Sequence, residues 1–307
     1  SYVIETDDSL LIVDPWVEGC AFDNGWSLLD KSITNKMLVD YLTKTKKAKF
    51  IWLSHEHSDH FSVPFLKALK ATEVDVKFLF QKTLDGRVAQ FIKKMGFSVT
   101  ESNDKLEVLD SELSIATFPY AGGDSYSLTM LKEFSILNIN DCVVDDEKGA
   151  NRVLQNYSKY TSNIDILLTQ FGYANWVGNQ DEVQLRKKSA REKLDRISLQ
   201  VNRFKPKAVI PFASFVYFCD PENFHTNDSQ NTPQDVANFF EKKKILNELI
   251  VLKPWDALDL TKPLVQDPMA RSKNILHWVN LFNKITPNSV NVKTISLEQI
   301  EDSYRSY

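Results

Sequence analysis

Three of the five histidines in this 307-residue chain fall within six positions, inside the run FIWLSHEHSDHFS (50–62). The run opens as a buried strand, KFIWLS, and passes into SVPFLKALKA, which reads as a helix with Pro64 tolerated in its first turn. Residues two apart on an extended backbone point to the same side, so His55 and His57 can converge on one ion. Asp59 and His60 sit where the chain turns into the helix and can reach a second ion a few ångströms away. The bland alternative is a polar loop with incidental histidines, and four ligand-type side chains in six positions argue against it.

The rest of the chain supplies a core to carry such a loop. YVIET and LLIVD read as a hairpin around DDS, and VKFLF as a strand. NKMLVDYLTKTKK and LDGRVAQFIKKMG read as helices, the latter stopped by Gly96. Beyond Gly96 the pattern turns to β, through FSVT, KLEVL, LSIATF, YSLTML, EFSILNI and NIDILLTQF. DEVQLRKKSAREKLDRISLQVNRF puts Ala190, Leu194, Ile197 and Val201 on one helical stripe under a charged face. Lys187, Lys188, Arg191 and Lys193 read as part of that solvated face. KAVIPF and LIVLK read as strands, and PQDVANFFEKKKI and SKNILHWVNLFNKI as helices. Strands interleaved with helices predict an α/β sandwich, two sheets face to face with helices outside. Residues 1–261 are expected to form one catalytic domain and 262–307 an extension packed on it.

Composition narrows the function classes. Lys+Arg number 37 and Asp+Glu 41, a formal charge of −4, which offers no electrostatic case for nucleic acid or an anionic membrane. No apolar run approaches ~18 residues, and SYVIETDDSL has neither a basic leader nor an apolar h-region. Cys20, Cys142 and Cys219 form no close pair, so a reducing cytoplasm is the expected setting. No Cys-x-x-Cys or Cys-x-x-His occurs in the sequence.

HxHxDH at a strand end resembles the signature of the metallo-β-lactamase superfamily. The resemblance implies an αβ/βα four-layer sandwich whose loop carries two metals, one on His55 and His57, the other on Asp59 and His60. It also implies a bridging Asp at a later strand end, for which Asp141 in SILNINDCVV is the candidate. No histidine lies between His60 and His225. Asp124, in FPYAGGDSYS, is near where a third ligand of the first metal would come from, or is a turn residue after two glycines. His225 or Asp220, in FVYFCDPENFH, closes the second site, or His225 is a loop histidine. His277 reads as packing or surface. Asp14 either orients a ligand histidine or caps the turn before Pro15. Fewer imidazoles and more carboxylates make a harder ligand set, which leans toward iron over zinc or manganese, although zinc tolerates carboxylates.

Five stretches resemble, in order, the catalytic part of the CMP-N-acetylneuraminate hydroxylase family: DPWVEGCAFDNGWSLLD, SHEHSDHFSVPFLK, ILNINDC, DILLTQFGYANW and IPFASFVYFCDPENFH. That resemblance implies an iron-dependent monooxygenase acting on a small polar, sugar- or nucleotide-like substrate. Without cysteine–histidine cluster motifs in the sequence, electrons would come from a separate donor, a reductase or ferredoxin. Trp26, Phe171, Tyr173 and Trp176 are the candidate substrate wall. Trp16 and Phe22 could join it, although aromatic core packing explains Trp16, Phe22 and Trp26 as well. A metal-dependent hydrolase of an ester, lactone or phosphodiester is the alternative, with Asp59 orienting a metal-activated water. A metal- or ligand-binding module without catalysis is the third.

Overall fold

The computed structural model of the chain describes residues 1–289 and Leu297. Side-chain alternation along the strands sorts the core into layers. In the strand Ser9–Val13, Leu11 and Val13 face one way and Leu10 and Ile12 the other. In Ala48–Leu53, Phe50 and Trp52 separate from Ile51 and Leu53 in the same manner. Leu11, Val13, Phe50 and Trp52 meet Ile115, Ile136, Ile166, Leu168 and Ile210 of a second sheet. The opposite face of the first sheet packs against the helices Asn35–Lys44, Val63–Lys70 and Arg87–Lys94, through Val39, Leu42, Phe65, Leu66, Val88 and Ile92. Leu137, Leu167 and Val209 of the second sheet pack against Val153, Leu194, Ile197, Val236, Ile275 and Trp278 of four further helices. Helix, sheet, sheet, helix: this is the four-layer αβ/βα sandwich of the metallo-β-lactamase type.

The first sheet has five strands and the second seven. Ser9–Val13, Ala48–Leu53 and Lys77–Phe80 run parallel at the centre of the first sheet. Phe134–Asn140, Ile166–Gln170 and Ala208–Phe212 run parallel in the second. Parallel neighbours end together, so the segments after Val13, Leu53, Asn140 and Gln170 emerge along the same edge. Ligands bind outside the carboxyl ends of such strands. Across the sandwich, Trp52 Nε1 donates to Thr117 Oγ1 at 2.8 Å, which lets a fully buried indole bring the sheets together.

Most elements follow the periodicity, with three departures. The helix Glu147–Tyr157 was not anticipated, although Ala150, Val153 and Tyr157 form its buried stripe and Asp146 caps it. A three-stranded sheet of Val216–Phe218, Trp26–Leu28 and Cys20–Ala21 is too short to announce itself, because long-range pairing alone makes it. LIVLK forms a strand only at Glu248–Leu249. Beyond it Gln266 takes over as partner, its Oε1 accepting from Val251 N and its Nε2 donating to Val251 O.

The described part of residues 262–307 includes the helix Pro268–Phe282, whose Trp278 stacks on Phe215 with ring centroids 4.1 Å apart. Residues 290–296 and 298–307 of that expected extension lie outside the described residues. Among the described residues no helix is long and apolar enough to cross a membrane, and all three cysteines are free.

Candidate metal centre

The centre is built outward from Asp14, which ends the strand Ser9–Val13 with φ +44°, a left-handed conformation that Asp tolerates better than most residues. Its carboxylate is buried and fully used. Oδ1 accepts from Ser54 N at 2.8 Å; Oδ2 accepts from Ser54 Oγ at 2.8 Å, His60 Nδ1 at 2.9 Å and Asn140 Nδ2 at 3.1 Å. The hydroxyl proton of Ser54 is committed to Asp14. Its oxygen therefore accepts from His55 Nδ1, 2.9 Å away. One carboxylate thus sets two rings, His60 directly and His55 through a serine, so that both Nε2 atoms face the same space.

Around that space the donors fall into two overlapping groups. Ligand atoms of His55, His60 and Asp141 lie within 4.8 Å of one another, as do those of His55, His57 and Asp124. His55 Nε2 is 2.8 Å from His57 Nδ1, 3.7 Å from Asp124 Oδ1 and 3.9 Å from Asp141 Oδ2. His60 Nε2 is 3.2 Å from both Asp141 Oδ2 and Asp59 Oδ2. Six of the seven expected ligands come together, with Asp141 beside both groups.

His225 does not join them. Its Nδ1 lies 3.1 Å from the carbonyl of Glu222 and its Nε2 3.3 Å from that of Gly178, with Trp176 edge-on to the ring at 5.1 Å. Held between these two loop carbonyls and outside both donor groups, it is a loop histidine, which corrects its reading as a ligand. The substrate wall needs the same correction in part. Phe171 and Tyr173 are 1% and 2% exposed; Phe171 packs on Phe215, and the Tyr173 hydroxyl donates to Thr226 O. Trp26 packs between Phe22 and Phe218, while Trp176 is exposed. Phe22, half open to solvent, meets the His57 ring edge-on at 5.7 Å, making it the aromatic nearest the donors among these. His277 pairs with Asp30 at 2.8 Å, away from the centre.

The electrostatics fit a cation. Burial opposes the charge of Asp141, yet His60 and His55 hold its carboxyl down at about 2. Burial also works against a charged His60, but Asp59, Asp141 and Asp14 outweigh it and raise the imidazole well above its usual value. Burial, with the neighbouring His60, drives His55 down to about 4, leaving it a neutral ligand. Burial and Asp141 push the Asp124 carboxyl up. Buried Asp59 Oδ1 finds no hydrogen-bond partner among the described residues. Three carboxylates crowded together, one with an orphaned oxygen, are a donor set that one or two hard cations would satisfy.

Of the supports, sequence reasoning offered Asp14, which does orient a histidine, and missed Ser54, Gln170 and Lys193. Gln170, at the end of Ile166–Gln170, donates from Nε2 to Asp141 Oδ1 at 2.8 Å and accepts at Oε1 from Lys193 Nζ at 2.9 Å. Lys193 is therefore no solvated lysine: burial, and then Arg196, lower it to about 8. A polar residue ending an otherwise apolar strand was the available signal for Gln170. Nothing local marked Lys193.

The fold and this donor cluster define a protein of the metallo-β-lactamase fold class with a candidate two-metal centre. Within that class, the chain is similar to cytidine monophosphate-N-acetylneuraminic acid hydroxylases. It is 25% identical over 277 residues to that of Xenopus laevis, covering 84% of this chain and 44% of the relative. To that of Mus musculus it is 24% identical over 278 residues, covering 86% and 46%. The chain thus spans about half the length of these relatives. Among solved structures, a mutant of the CmlA beta-hydroxylase superposes with a TM-score of 0.56 at 13% identity, over 82% of this chain and 50% of that one. The metallo-beta-lactamase fold protein YhfI from Bacillus subtilis superposes with a TM-score of 0.47 at 14% identity, over 82% and 87%. No protein-family model matches the sequence.

Proposed function

We propose that this chain is the catalytic part of a dinuclear metal-dependent oxygenase, working in the cytoplasm, that hydroxylates a small polar substrate of the sugar or nucleotide kind. The observation that carries the reading is the mixed donor set: His55, His57 and Asp124 beside His60, Asp59 and Asp141, with His55 and Asp141 close to both groups. The names of the relatives support hydroxylation as the reaction class, and a cytidine-linked sugar acid as the kind of substrate. Iron is preferred to zinc or manganese because the set is rich in hard oxygen donors. We keep residues 1–261 as the catalytic domain and 262–307 as its extension.

Bound metal would supply the open coordination positions and redox chemistry that an oxygenase needs, with electrons from a separate reductase or ferredoxin. The protein's own part is positional. Asp14 and Ser54 hold His60 and His55 in the tautomers that turn Nε2 inward. Gln170 fixes the rotamer of Asp141. Asp59, with one oxygen unengaged, is the group placed to take or return a proton beside the centre. Phe22, backed by Trp26, packs edge-on against the solvent-facing His57 ring.

The test is elemental analysis of anaerobically purified protein, followed by oxygen uptake with a chemical reductant. Iron near two per chain with reductant-dependent uptake is expected. Stoichiometric tight zinc without uptake would reject the oxygenase and leave the metallo-hydrolase as the reading of the same donors.

A further inference from the structure

Three consecutive non-glycine residues, Phe22, Asp23 and Asn24, hold φ of +52°, +50° and +68°, in the left-handed region. Such backbone costs free energy and persists only where its surroundings enforce it. This turn is tied on two sides. On one, Phe22 N donates to Ser58 Oγ at 3.0 Å and the Phe22 ring meets His57 edge-on, so the turn braces the loop that carries His57 and Asp59. On the other, Cys219 N donates to Gly25 O at 2.9 Å and Cys219 Sγ donates to Asn24 O at 3.0 Å.

Cys20 stands two residues before the turn, and there the two thiols meet. Cys219 Sγ is in side-chain hydrogen-bond contact with Cys20. Asn288 Nδ2 reaches both sulfurs, 3.2 Å from Cys219 Sγ and 3.7 Å from Cys20 Sγ, and Asn288 N donates to Cys219 O at 2.7 Å. The two sulfurs are unequal. Cys20 is exposed, whereas Cys219 is 0% exposed, and burial, then Cys20 beside it, pushes its thiol up to about 12. An oxidant therefore reaches Cys20, with Cys219 held behind it as a protonated resolving partner.

We propose that Cys20 and Cys219 are a peroxide-sensing thiol pair, whose disulfide pulls on the strained 22–24 turn and loosens its brace on the His57 loop. The sensing step is independent of the metal centre; its effect on bound metal rests on the function proposed above. The Cys20 thiolate attacks one oxygen of hydrogen peroxide, the O–O bond breaks, and the leaving hydroxide takes a proton to become water. Cys219 then attacks the sulfenic sulfur. The S–S bond forms, the S–OH bond breaks, and the Cys219 proton leaves with that hydroxide as a second water. Two thiols thus give two electrons to one peroxide, and a small dithiol reverses the change. Because the sulfurs are in contact but not bonded, bonding draws the two chains together, and the left-handed turn between them yields. A pair that opens again in a reducing cytoplasm suits a switch better than a staple.

The test uses the full chain loaded with zinc, which has no redox chemistry of its own. It is treated with a slight excess of hydrogen peroxide, alkylated, and digested without reductant. A Cys20–Cys219 cross-linked peptide that dithiothreitol removes is expected, with Cys142 still a free thiol. Oxidation should weaken zinc binding by about tenfold, read by chelator competition. It should also speed amide hydrogen exchange over residues 54–61, a readout of the brace whether or not metal binds. Cys20→Ser, at an exposed position, should bind zinc like the reduced wild type and show neither change with peroxide. Cys219→Ser should leave Cys20 to oxidise further, to the sulfinic acid. Peroxide that leaves the pair unlinked, or links Cys20 elsewhere, overturns the proposal. So does a disulfide that alters neither zinc affinity nor exchange. A chain that binds no zinc in either state sinks the metal centre instead, and the exchange over 54–61 still decides the switch.

Discussion

Asp14 Oδ2 lies 2.9 Å from His60 Nδ1, although the two residues are 46 positions apart, Asp14 just after the strand Ser9–Val13 and His60 in the loop between the strand Ala48–Leu53 and the helix Val63–Lys70. Removing that carboxylate while keeping its shape tests how much the centre depends on it. Asp14→Asn should weaken metal binding by about 10–100-fold, the usual consequence of losing a carboxylate behind a ligand histidine. Chelator competition measures the affinity, and circular dichroism checks the fold. Binding within threefold of wild type would show that Asp14 does not orient the ring.

Metal uptake should depend on pH through His60. Its imidazole is raised well above the usual value, against the effect of burial, by Asp59, Asp141 and Asp14, so near neutrality it carries a proton the metal must displace. His55, lowered to about 4, has none to give. Apparent affinity therefore rises with pH, by about tenfold per unit for one released proton, and levels off above the pKa of His60. Titrations in buffers of different ionisation enthalpy count the protons, and a flat profile would contradict the charge state given to His60.

The two donor groups predict unequal losses. His57 belongs to one group only, so His57→Ala should reduce bound metal from about two per chain to about one. Asp141 is 3.2 Å from His60 and 3.9 Å from His55, close to both groups, so Asp141→Ala should empty both. Plasma emission analysis of the purified variants gives the counts. Equal stoichiometry in the two variants would rule out this division of ligands.

Arg186→Met should destabilise the fold by roughly 2–4 kcal/mol, because it strips a buried guanidinium from Asp228 and from several carbonyls of the 177–180 loop. The value sits below that of a wholly buried pair because the Asp228 side chain is 37% exposed. Urea unfolding measures the loss. Trp176 adjoins this loop, so its fluorescence should shift with it; unchanged stability would mean the contact carries no net free energy.

The strand–loop–helix that carries His55, His57, Asp59 and His60 could be read from the sequence because all four donors lie in one short segment, where spacing and alternation determine direction. The same local rule exposed the alternating core strands, the helix Val183–Phe204 and the turn at Gly96 (φ +89°). Asp141 and Asp124 were accessible as strand-end and turn residues, yet spacing alone could not assign them a partner. The helix Glu147–Tyr157 carries a stripe of the same kind in Ala150, Val153 and Tyr157.

The tertiary structure decided everything that depends on the meeting of distant ends. Parallel pairing brings Val13, Leu53, Asn140 and Gln170 to one edge, and only there do Asp14, Ser54 and Gln170 become supports for the donors. Burial separated Phe171 and Tyr173 from the exposed Trp176, although all three stand in one six-residue stretch. It also turned Lys193 from a residue on a charged helix face into a neighbour of Asp141. Period and spacing act over a few residues, whereas burial and charge balance arise from packing among segments tens of positions apart, 46 for Asp14 and His60 and 23 for Gln170 and Lys193.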